Sequence, residues 1–218
     1  MTVGELAQMI RGEGWLSGLD SLDLRIVPMN GWTRSMRWLA TGHEWIAPSP
    51  NLPTFEAALV YPGACFFEAT AASEGRGTDQ PFLQLGRPIA AGQAEMLADT
   101  LNARNLAGVR FGSVTFTPHD RSGAMNPQHE GTALHGIRYV ITDADAFQPV
   151  EAGIHVLHTF YQHTSDPLIT RPDWLAKLAG TTELLEMLES GAAPGAIIAA
   201  WKDEVDTFRT RRGPYLLY

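Results

Sequence analysis

Two stretches rich in β-branched and aromatic residues decide the fold of this chain: Val109-Arg110-Phe111-Gly112-Ser113-Val114-Thr115-Phe116 and Leu134-His135-Gly136-Ile137-Arg138-Tyr139-Val140-Ile141. Both predict β-strands, with Gly112 as a candidate bulge. Apolar residues at helical spacing lie on either side of this pair, in residues 92–105 and 150–162. The chain is therefore predicted to have an α+β (mixed α/β) fold, in which one central mixed sheet is flanked by helices and the C-terminus is rich in helices.

The first and last helices are predicted from capping signals and apolar spacing. Thr2-Val3-Gly4-Glu5 is a capping box that starts a helix, with Leu6, Met9 and Ile10 as its buried stripe. Pro194 starts the last helix, whose core stripe is predicted to contain Ile197, Ile198, Trp201, Val205 and Phe208. The final residues, 213–218, are too apolar for a free tail, so we expect them to dock on the body of the protein.

Shorter elements are predicted from local composition. Residues 22–27, 58–61 and 65–70 are interpreted as strands because they are rich in apolar and β-branched residues and end at turn signals. Residues 174–178 are interpreted as a short turn, and residues 182–188 as a helix. We found no repeat and no linker, so residues 1–218 are interpreted as a single domain.

Composition limits the class of protein. With 218 residues, 44% of them hydrophobic and 18% charged, the chain is globular rather than disordered. A net charge of −8 with scattered Lys and Arg argues against a nucleic-acid partner. No apolar run is long enough to cross a bilayer, and the N-terminus lacks the pattern of a signal peptide. Cys65 is the single cysteine, and its apolar neighbours favour a buried thiol over a nucleophile.

The candidate site lies in residues 45–82, which combine turn residues, small residues and polar groups of fixed geometry. Its centre is Ser73-Glu74-Gly75-Arg76-Gly77-Thr78, an arginine between two glycines that is flanked by a glutamate and two hydroxyls. Such a loop brings its backbone close to another group and holds the guanidinium out to meet it. Glu68 precedes this loop, and Asn51 lies in a proline-rich segment before that.

Three other segments carry polar groups. Trp32 and Arg34 share a turn that is equally suited to a ligand platform or to ordinary core capping. Residues 117–131 are predicted to form a long exposed connection. His155 and His158 lie three apart on a predicted helix, a spacing that suits a metal, but no further ligand accompanies them and we predict no metal site.

Several of these motifs, in this order, resemble the exo-β-N-acetylmuramidase family of the NamZ type. The matching segments are residues 1–7, Gly31-Trp32-Thr33-Arg34, Trp45 with Pro48-Ser49-Pro50-Asn51, Tyr61-Pro62-Gly63, residues 73–82 and Tyr215-Leu216-Leu217-Tyr218. The chain departs from the family pattern at Ala69 and Ala71, where Gly and Asn are usual, and at Leu134, where Cys is common. Family members are about twice this long, so the resemblance implies a C-terminal half without its Rossmann-like N-terminal half.

The resemblance implies exo-acting release of N-acetylmuramic acid from the non-reducing ends of peptidoglycan fragments, in a cleft between the two halves. Arg76 and Arg34 are then candidates to bind the lactyl carboxylate of the sugar, since arginine forms two parallel hydrogen bonds with a carboxylate. Further candidate substrate-binding residues are Ser73, Thr78, Asn51 and Trp32. Glu68 and Glu74 are the candidate catalytic carboxylates, although the family's general acid is expected on the absent half.

The sequence is also compatible with other interpretations. Arg76 could instead be a structural hub that ties Glu68 or Asp79 to backbone carbonyls. The chain could be a substrate-recognition half that needs its partner, a self-sufficient hydrolase, or a non-catalytic module that binds muropeptides or proteins. The family resemblance implies a secreted or periplasmic bacterial protein, and no motif calls for a metal or an organic cofactor.

Overall fold

We describe a computed structural model of the chain that covers residues 1–164 and 166–218. Its described helices and strands, in chain order, are α1 (Val3–Gly12), α2 (Phe55–Ala64), β1 (Gln84–Arg87), α3 (Ala91–Asn102), β2 (Val109–Phe116), β3 (Leu134–Ile141), α4 (Pro149–His163), α5 (Pro172–Ala179), α6 (Glu183–Glu189), α7 (Pro194–Ala200) and α8 (Lys202–Arg212). Short 3-10 helices cover Trp38–Thr41, Cys65–Ala69 and Gly213–Tyr215. The α+β class predicted from the sequence is confirmed.

The chain forms two compact units. The terminal unit consists of residues 1–44 and 200–218, and the central unit of residues 45–199.

A small sheet organises the central unit. Its strands lie in the order β1-β3-β2, and both pairings are antiparallel, so the sheet is not the mixed one expected from the sequence. The predicted bounds of β2 and β3 are confirmed, and their register runs unbroken through Gly112, which therefore forms no bulge. β1 was missed, because four residues that follow Pro81 and Phe82 are too short to show an alternating pattern.

Helices α2, α3 and α4 pack around the core of this unit. The helices predicted over 92–105 and 150–162 correspond to α3 and α4. Gly63 and Gly153 meet where α2 crosses α4, and a Cβ added at Gly63 would lie only 1.9 Å from the carbonyl oxygen of Pro149. The two backbones can approach this closely only because neither residue has a side chain.

The strands predicted at 58–61 and 65–70 are wrong. Thr54 accepts a hydrogen bond from the N–H of Ala57 and caps α2, and the 3-10 helix Cys65–Ala69 follows directly. Apolar residues occur on every side of α2, so its sequence shows no helical period and resembles a buried strand. The turn predicted at 174–178 is also wrong, because α5 begins at Pro172 and ends before a left-handed Gly180.

The terminal unit is built on α1. The predicted capping box is present: Thr2 Oγ1 accepts from the N–H of Glu5, and Glu5 Oε2 accepts from the N–H of Thr2. The predicted docking of the chain end is confirmed, since the N–H of Leu217 donates to Glu5 Oε1 over 2.9 Å. Of the predicted buried stripe, Met9 is fully buried and Leu6 is exposed.

Two further predictions, for residues 22–27 and for the last helix, are wrong. Residues 22–27 form no strand. The single last helix predicted from Pro194 is divided at Trp201 into α7 and α8, and Val205 and Phe208 on α8 are exposed rather than buried in a core stripe.

Candidate functional site

The loop at residues 73–78 is held in place by the sheet of the central unit. Ser73 and Gly86 of β1 exchange two backbone hydrogen bonds, of 2.9 and 3.0 Å. Gly75 and Gly77 both have φ of +79°, a conformation that favours glycine. A Cβ at Gly77 would lie 2.7 Å from the carbonyl oxygen of His119. The two glycines are therefore required by backbone geometry and by close packing, and they fix the position of the arginine between them.

Arg76 lies between the two candidate catalytic carboxylates. Its Nη1 atom is 3.3 Å from Glu68 Oε2 and 3.0 Å from Glu74 Oε1. The Glu68 and Glu74 side chains are only 13% and 9% exposed, whereas that of Arg76 is 33% exposed. Among the described residues, Nε and Nη2 of Arg76 make no hydrogen bond. The edge formed by Nε and Nη2, called the outer edge below, therefore has no partner among the described residues, whereas Nη1, the inner nitrogen, is paired.

An aromatic pair supports the guanidinium. Arg76 stacks on the ring of Phe82 at 5.0 Å from its centroid, and Phe82 contacts the ring of Tyr61 edge to face at 4.8 Å. Phe82 is almost fully buried, has a φ of 64° and donates its N–H to the carbonyl of Glu74. A non-glycine residue in this left-handed conformation stores strain that the surrounding packing must offset.

Burial and neighbouring charge shape the acid–base properties of this cluster. Burial is the main cause that raises the pKa of Glu74, and the nearby Glu68 adds to it, while Arg76 opposes the rise. Glu68 Oε1 is buried and has no hydrogen-bond partner among the described residues. Below the cluster, burial and the charge of Glu68 raise the pKa of Cys65 to about 11. The thiol is buried as predicted, and it stays protonated at neutral pH.

The two hydroxyls of the loop are used within it. Thr78 Oγ1 donates to the carbonyl of Gly75 over 2.6 Å and accepts from Gln84 Nε2, and Ser73 Oγ accepts from the N–H of Gly75. By contrast, the N–H groups of Arg76 and Gly77 make no hydrogen bond with any described residue. These two successive donors, unlike the hydroxyls, have no partner in the described part of the chain, although Gly77 itself is buried.

The remaining predicted site residues belong to other segments of the chain and have contacts of their own. Asn51 belongs to the central unit and donates to the carbonyl of Gly123, which anchors the long connection at residues 117–131. Trp32 and Arg34 belong to the terminal unit. Arg34 Nη2 binds Glu5 Oε1 and the carbonyl of Tyr218, and the ring of Trp32 contacts that of Tyr218. The main contacts of Arg34 thus fix the end of the chain.

The long connection at residues 117–131 also contacts the candidate site. The N–H of His119 donates to the carbonyl of Gly77 over 2.9 Å, and His129 Nε2 lies 2.8 Å from the carbonyl of Ala71. Sequence reasoning missed this contact, as it missed Tyr61 and Phe82 as supports of Arg76. The only available signal was the presence of both aromatic residues in the same segment, residues 45–82.

The histidine pair on α4 is not arranged as a metal site. Arg104 Nη1 lies 2.9 Å from His155 Nδ1, and burial together with the charge of Arg104 lowers the pKa of His155 to about 4. His158 is buried. In the described part of the chain, no group of three or more His, Cys, Asp or Glu side chains is placed to hold a metal ion.

Comparison with known families gives a match along nearly the whole chain. Residues 1–56 match the model of the N-terminal region of the exo-beta-N-acetylmuramidase NamZ, and residues 59–218 match the model of its C-terminal region. The chain belongs to the NamZ family. Among curated proteins, it is 35% identical over 219 residues to the peptidoglycan beta-N-acetylmuramidase NamZ of Bacillus subtilis (strain 168). That match covers 100% of this chain and 50% of the relative, so the chain spans about half the length of the NamZ relative.

Two solved structures resemble the chain over nearly its whole length. The chain superposes on a DUF1343 family protein of Bacteroides fragilis NCTC 9343 with a TM-score of 0.82 and 29% identity, over 99% of this chain and 55% of that one. A second DUF1343 family protein of the same organism gives a TM-score of 0.74 and 31% identity, over 100% and 55% of the two chains.

The division of the chain differs between sequence and structure. The two NamZ models meet between residues 56 and 59, whereas the compact units part between residues 44 and 45, with residues 200–218 joining the first unit. The interpretation of residues 1–218 as a single domain stays a prediction. None of the described helices is both long and apolar enough to cross a membrane.

Proposed function

We propose that this chain is the substrate-recognising part of a NamZ-type glycoside hydrolase, which releases N-acetylmuramic acid from the non-reducing ends of peptidoglycan fragments. The single observation that carries the proposal is the half-paired guanidinium of Arg76. Its inner nitrogen is held by Glu68 and Glu74, and its outer edge is open. An edge of that kind binds a carboxylate by donating two parallel hydrogen bonds to it. Muramic acid differs from other amino sugars of the cell wall in its lactyl carboxylate.

The surroundings of Arg76 support an anion at this place. Stacking on Phe82 fixes the plane of the guanidinium, so little conformational entropy is lost when a ligand binds. The free N–H groups of Arg76 and Gly77 add two donors on the same loop. Two glutamates beside the guanidinium would oppose an anion, and burial, which raises the pKa of Glu74, lessens the tendency of that group to ionise.

Glu68 and Glu74 are proposed as the carboxylates that act on the sugar, if catalytic groups reside in this chain. A glycosidase needs one carboxylic acid to donate a proton and a second carboxylate for the opposite face of the ring. Glu74, whose pKa is raised by burial, has the property of the acid, and Glu68, which is paired with Arg76, is the proposed second carboxylate. The other half of the enzyme, which is Rossmann-like in the family that the sequence resembles, is the proposed partner.

A second candidate is a non-catalytic module that binds muropeptides or a protein partner. The observation in its favour is that both carboxylates already form ion pairs with Arg76, an arrangement that restrains them and that suits binding better than proton transfer.

The test is release of N-acetylmuramic acid from a chromogenic muramic acid glycoside, measured with this chain alone and with the Rossmann-like half of the Bacillus subtilis relative added. We expect turnover only when the added half is present. Turnover by this chain alone, lost in Glu74→Gln, would make it a self-sufficient hydrolase. Binding of the sugar without turnover in either mixture would favour the binding module.

A further inference from the structure

Residues 22–27 have the sequence of a strand but no sheet to join. The segment reads Leu22-Asp23-Leu24-Arg25-Ile26-Val27, in which apolar and charged residues alternate up to its end. In the structure it lies in the terminal unit without any strand partner. A strand pattern without a partner indicates that the partner lies in another part of the protein.

The side chains of the segment are arranged as in a strand covered on one face. Ile26 packs on α1, since a Cβ added at Gly4 would lie 2.7 Å from its Cγ2 atom. Leu24 and Ile26 also share the wall of a 720 Å³ cavity with Gly12 of α1. On the opposite face, Asp23 and Arg25 form an exposed ion pair of 2.8 Å, which requires side chains two residues apart to point the same way.

The backbone edges of the segment are unpaired. Among the described residues, the N–H groups of Asp23, Arg25, Ile26 and Val27 make no hydrogen bond. The single backbone bond within the segment joins the N–H of Leu24 to the carbonyl of Leu22. A strand with one apolar face covered by a helix and with free edges is the form in which chains add to a neighbouring sheet.

The terminal unit around this segment also lacks a core of its own. Of its residues, only Glu5 and Met9 are buried. Eleven of the fifteen exposed large apolar side chains in the described part of the chain lie in this unit, among them Leu16, Val27 and Leu39. So much exposed apolar surface on a small unit is typical of an interface whose partner is missing.

The family match points to the partner. Residues 1–56 match the model of the N-terminal region of NamZ, although the structure joins residues 1–44 to the end of the chain. The curated relative is twice as long as the region that this chain covers. We propose that residues 22–27 are a β-strand that completes a sheet of the family's N-terminal domain, whose neighbouring strand comes from the part of that domain outside the matched residues. This inference rests on the proposed function in one respect, which is that it takes the N-terminal domain of the family as the partner.

The proposal is tested by hydrogen exchange. The chain is measured alone, mixed with the Rossmann-like half of the Bacillus subtilis relative, and joined behind that half as one polypeptide. We expect amides of residues 23–27 to exchange at least about tenfold more slowly in the mixed or joined form. Trypsin cleavage after Arg25, which is exposed in the chain alone, should slow in parallel.

A pair of variants separates backbone pairing from side-chain contact. Arg25→Pro removes an N–H that this chain does not use, so it should leave the chain alone folded but weaken association or abolish protection. Arg25→Ala keeps the N–H and should behave as the unchanged chain. Association in which residues 22–27 exchange as fast as before would overturn the proposal, and so would protection that arises from dimers of this chain alone.

The outcomes also separate this proposal from the proposed function. Protection of residues 22–27 without release of muramic acid would support the strand and contradict the hydrolase. Release of muramic acid without protection of residues 22–27 would support the hydrolase and contradict the strand.

Discussion

Removing the guanidinium of Arg76 should destabilise the protein through the two buried glutamates that it leaves behind. Breaking a fully buried ion pair costs about 3–5 kcal/mol, whereas an exposed one contributes about 0–1 kcal/mol. Arg76 lies between these limits, because its side chain is 33% exposed and its partners are largely buried. With about 0.5–1 kcal/mol from stacking on Phe82, we expect Arg76→Ala to cost about 2–3 kcal/mol.

The assay is urea unfolding at pH 7, supported by thermal melts, in which such a loss lowers the Tm by about 4–12 °C for a protein of this size. Arg121→Ala is the matched control, because Arg121 pairs with the exposed Asp79 in the same unit and its loss should cost less than about 1 kcal/mol.

A triple variant tests the physical reason. In Arg76→Ala/Glu68→Gln/Glu74→Gln the buried charges are gone, so most of the lost stability should return. Buried unpaired charge is not the cause if Arg76→Ala is as stable as Arg121→Ala, or if the triple variant is no more stable than Arg76→Ala alone.

Three further predictions concern parts of the structure away from this cluster. Gly63→Ala should lower the free energy of unfolding by several kcal/mol, because its Cβ would lie 1.9 Å from the carbonyl oxygen of Pro149. Gly112→Ala, which has open space around it, should lower it by less than about 1 kcal/mol. Urea unfolding compares the two variants, and equal losses of stability would contradict the close helix contact. His155 takes up a proton near its ordinary pKa of about 6.5 in the unfolded chain, but only near about 4 in the folded protein. The free energy of unfolding should therefore fall as the pH drops between these two values. Unfolding measured at several pH values should show a shallower fall in His155→Gln. Burial raises the pKa of Glu5, but hydrogen bonds from Arg34, Leu217 and Thr2 outweigh this effect and hold the pKa at about 2. Glu5→Gln should therefore loosen the end of the chain, so that residues 215–218 are cleaved faster by proteases. Unchanged proteolysis would contradict this prediction.

The sequence predicted those elements whose pattern is local and periodic. β2, β3, α3 and α4 show clear alternation or helical spacing, and the capping box of α1 is a signal of four residues. α2 was mistaken for strand because a helix with apolar residues on every side carries no period. Residues 22–27 were predicted as a strand and form none here, which is expected where the neighbouring strand belongs to another domain.

The candidate site was predictable in its centre but not in its supports. An arginine between two glycines is visible in the sequence, and the structure brings Glu68, Glu74 and Arg76 together. The left-handed backbone of Phe82, the orphaned oxygen of Glu68 and the contact from residues 117–131 all depend on tertiary packing. For the same reason, the sequence could not reveal that Arg34 is held by the buried Glu5.

The measurement that tests the central claim most directly compares the binding of two sugars to the chain joined to the N-terminal half of the Bacillus subtilis relative. N-acetylmuramic acid and N-acetylglucosamine differ by the lactyl ether, so the ratio of their Kd values reports recognition of that group, and the Arg76 variants report the share of its carboxylate. We predict that the muramic acid binds about 10–100-fold more tightly, and that both Arg76→Ala and Arg76→Lys reduce this ratio towards one. Equal affinities for the two sugars, or a preference that survives in both variants, would contradict the account.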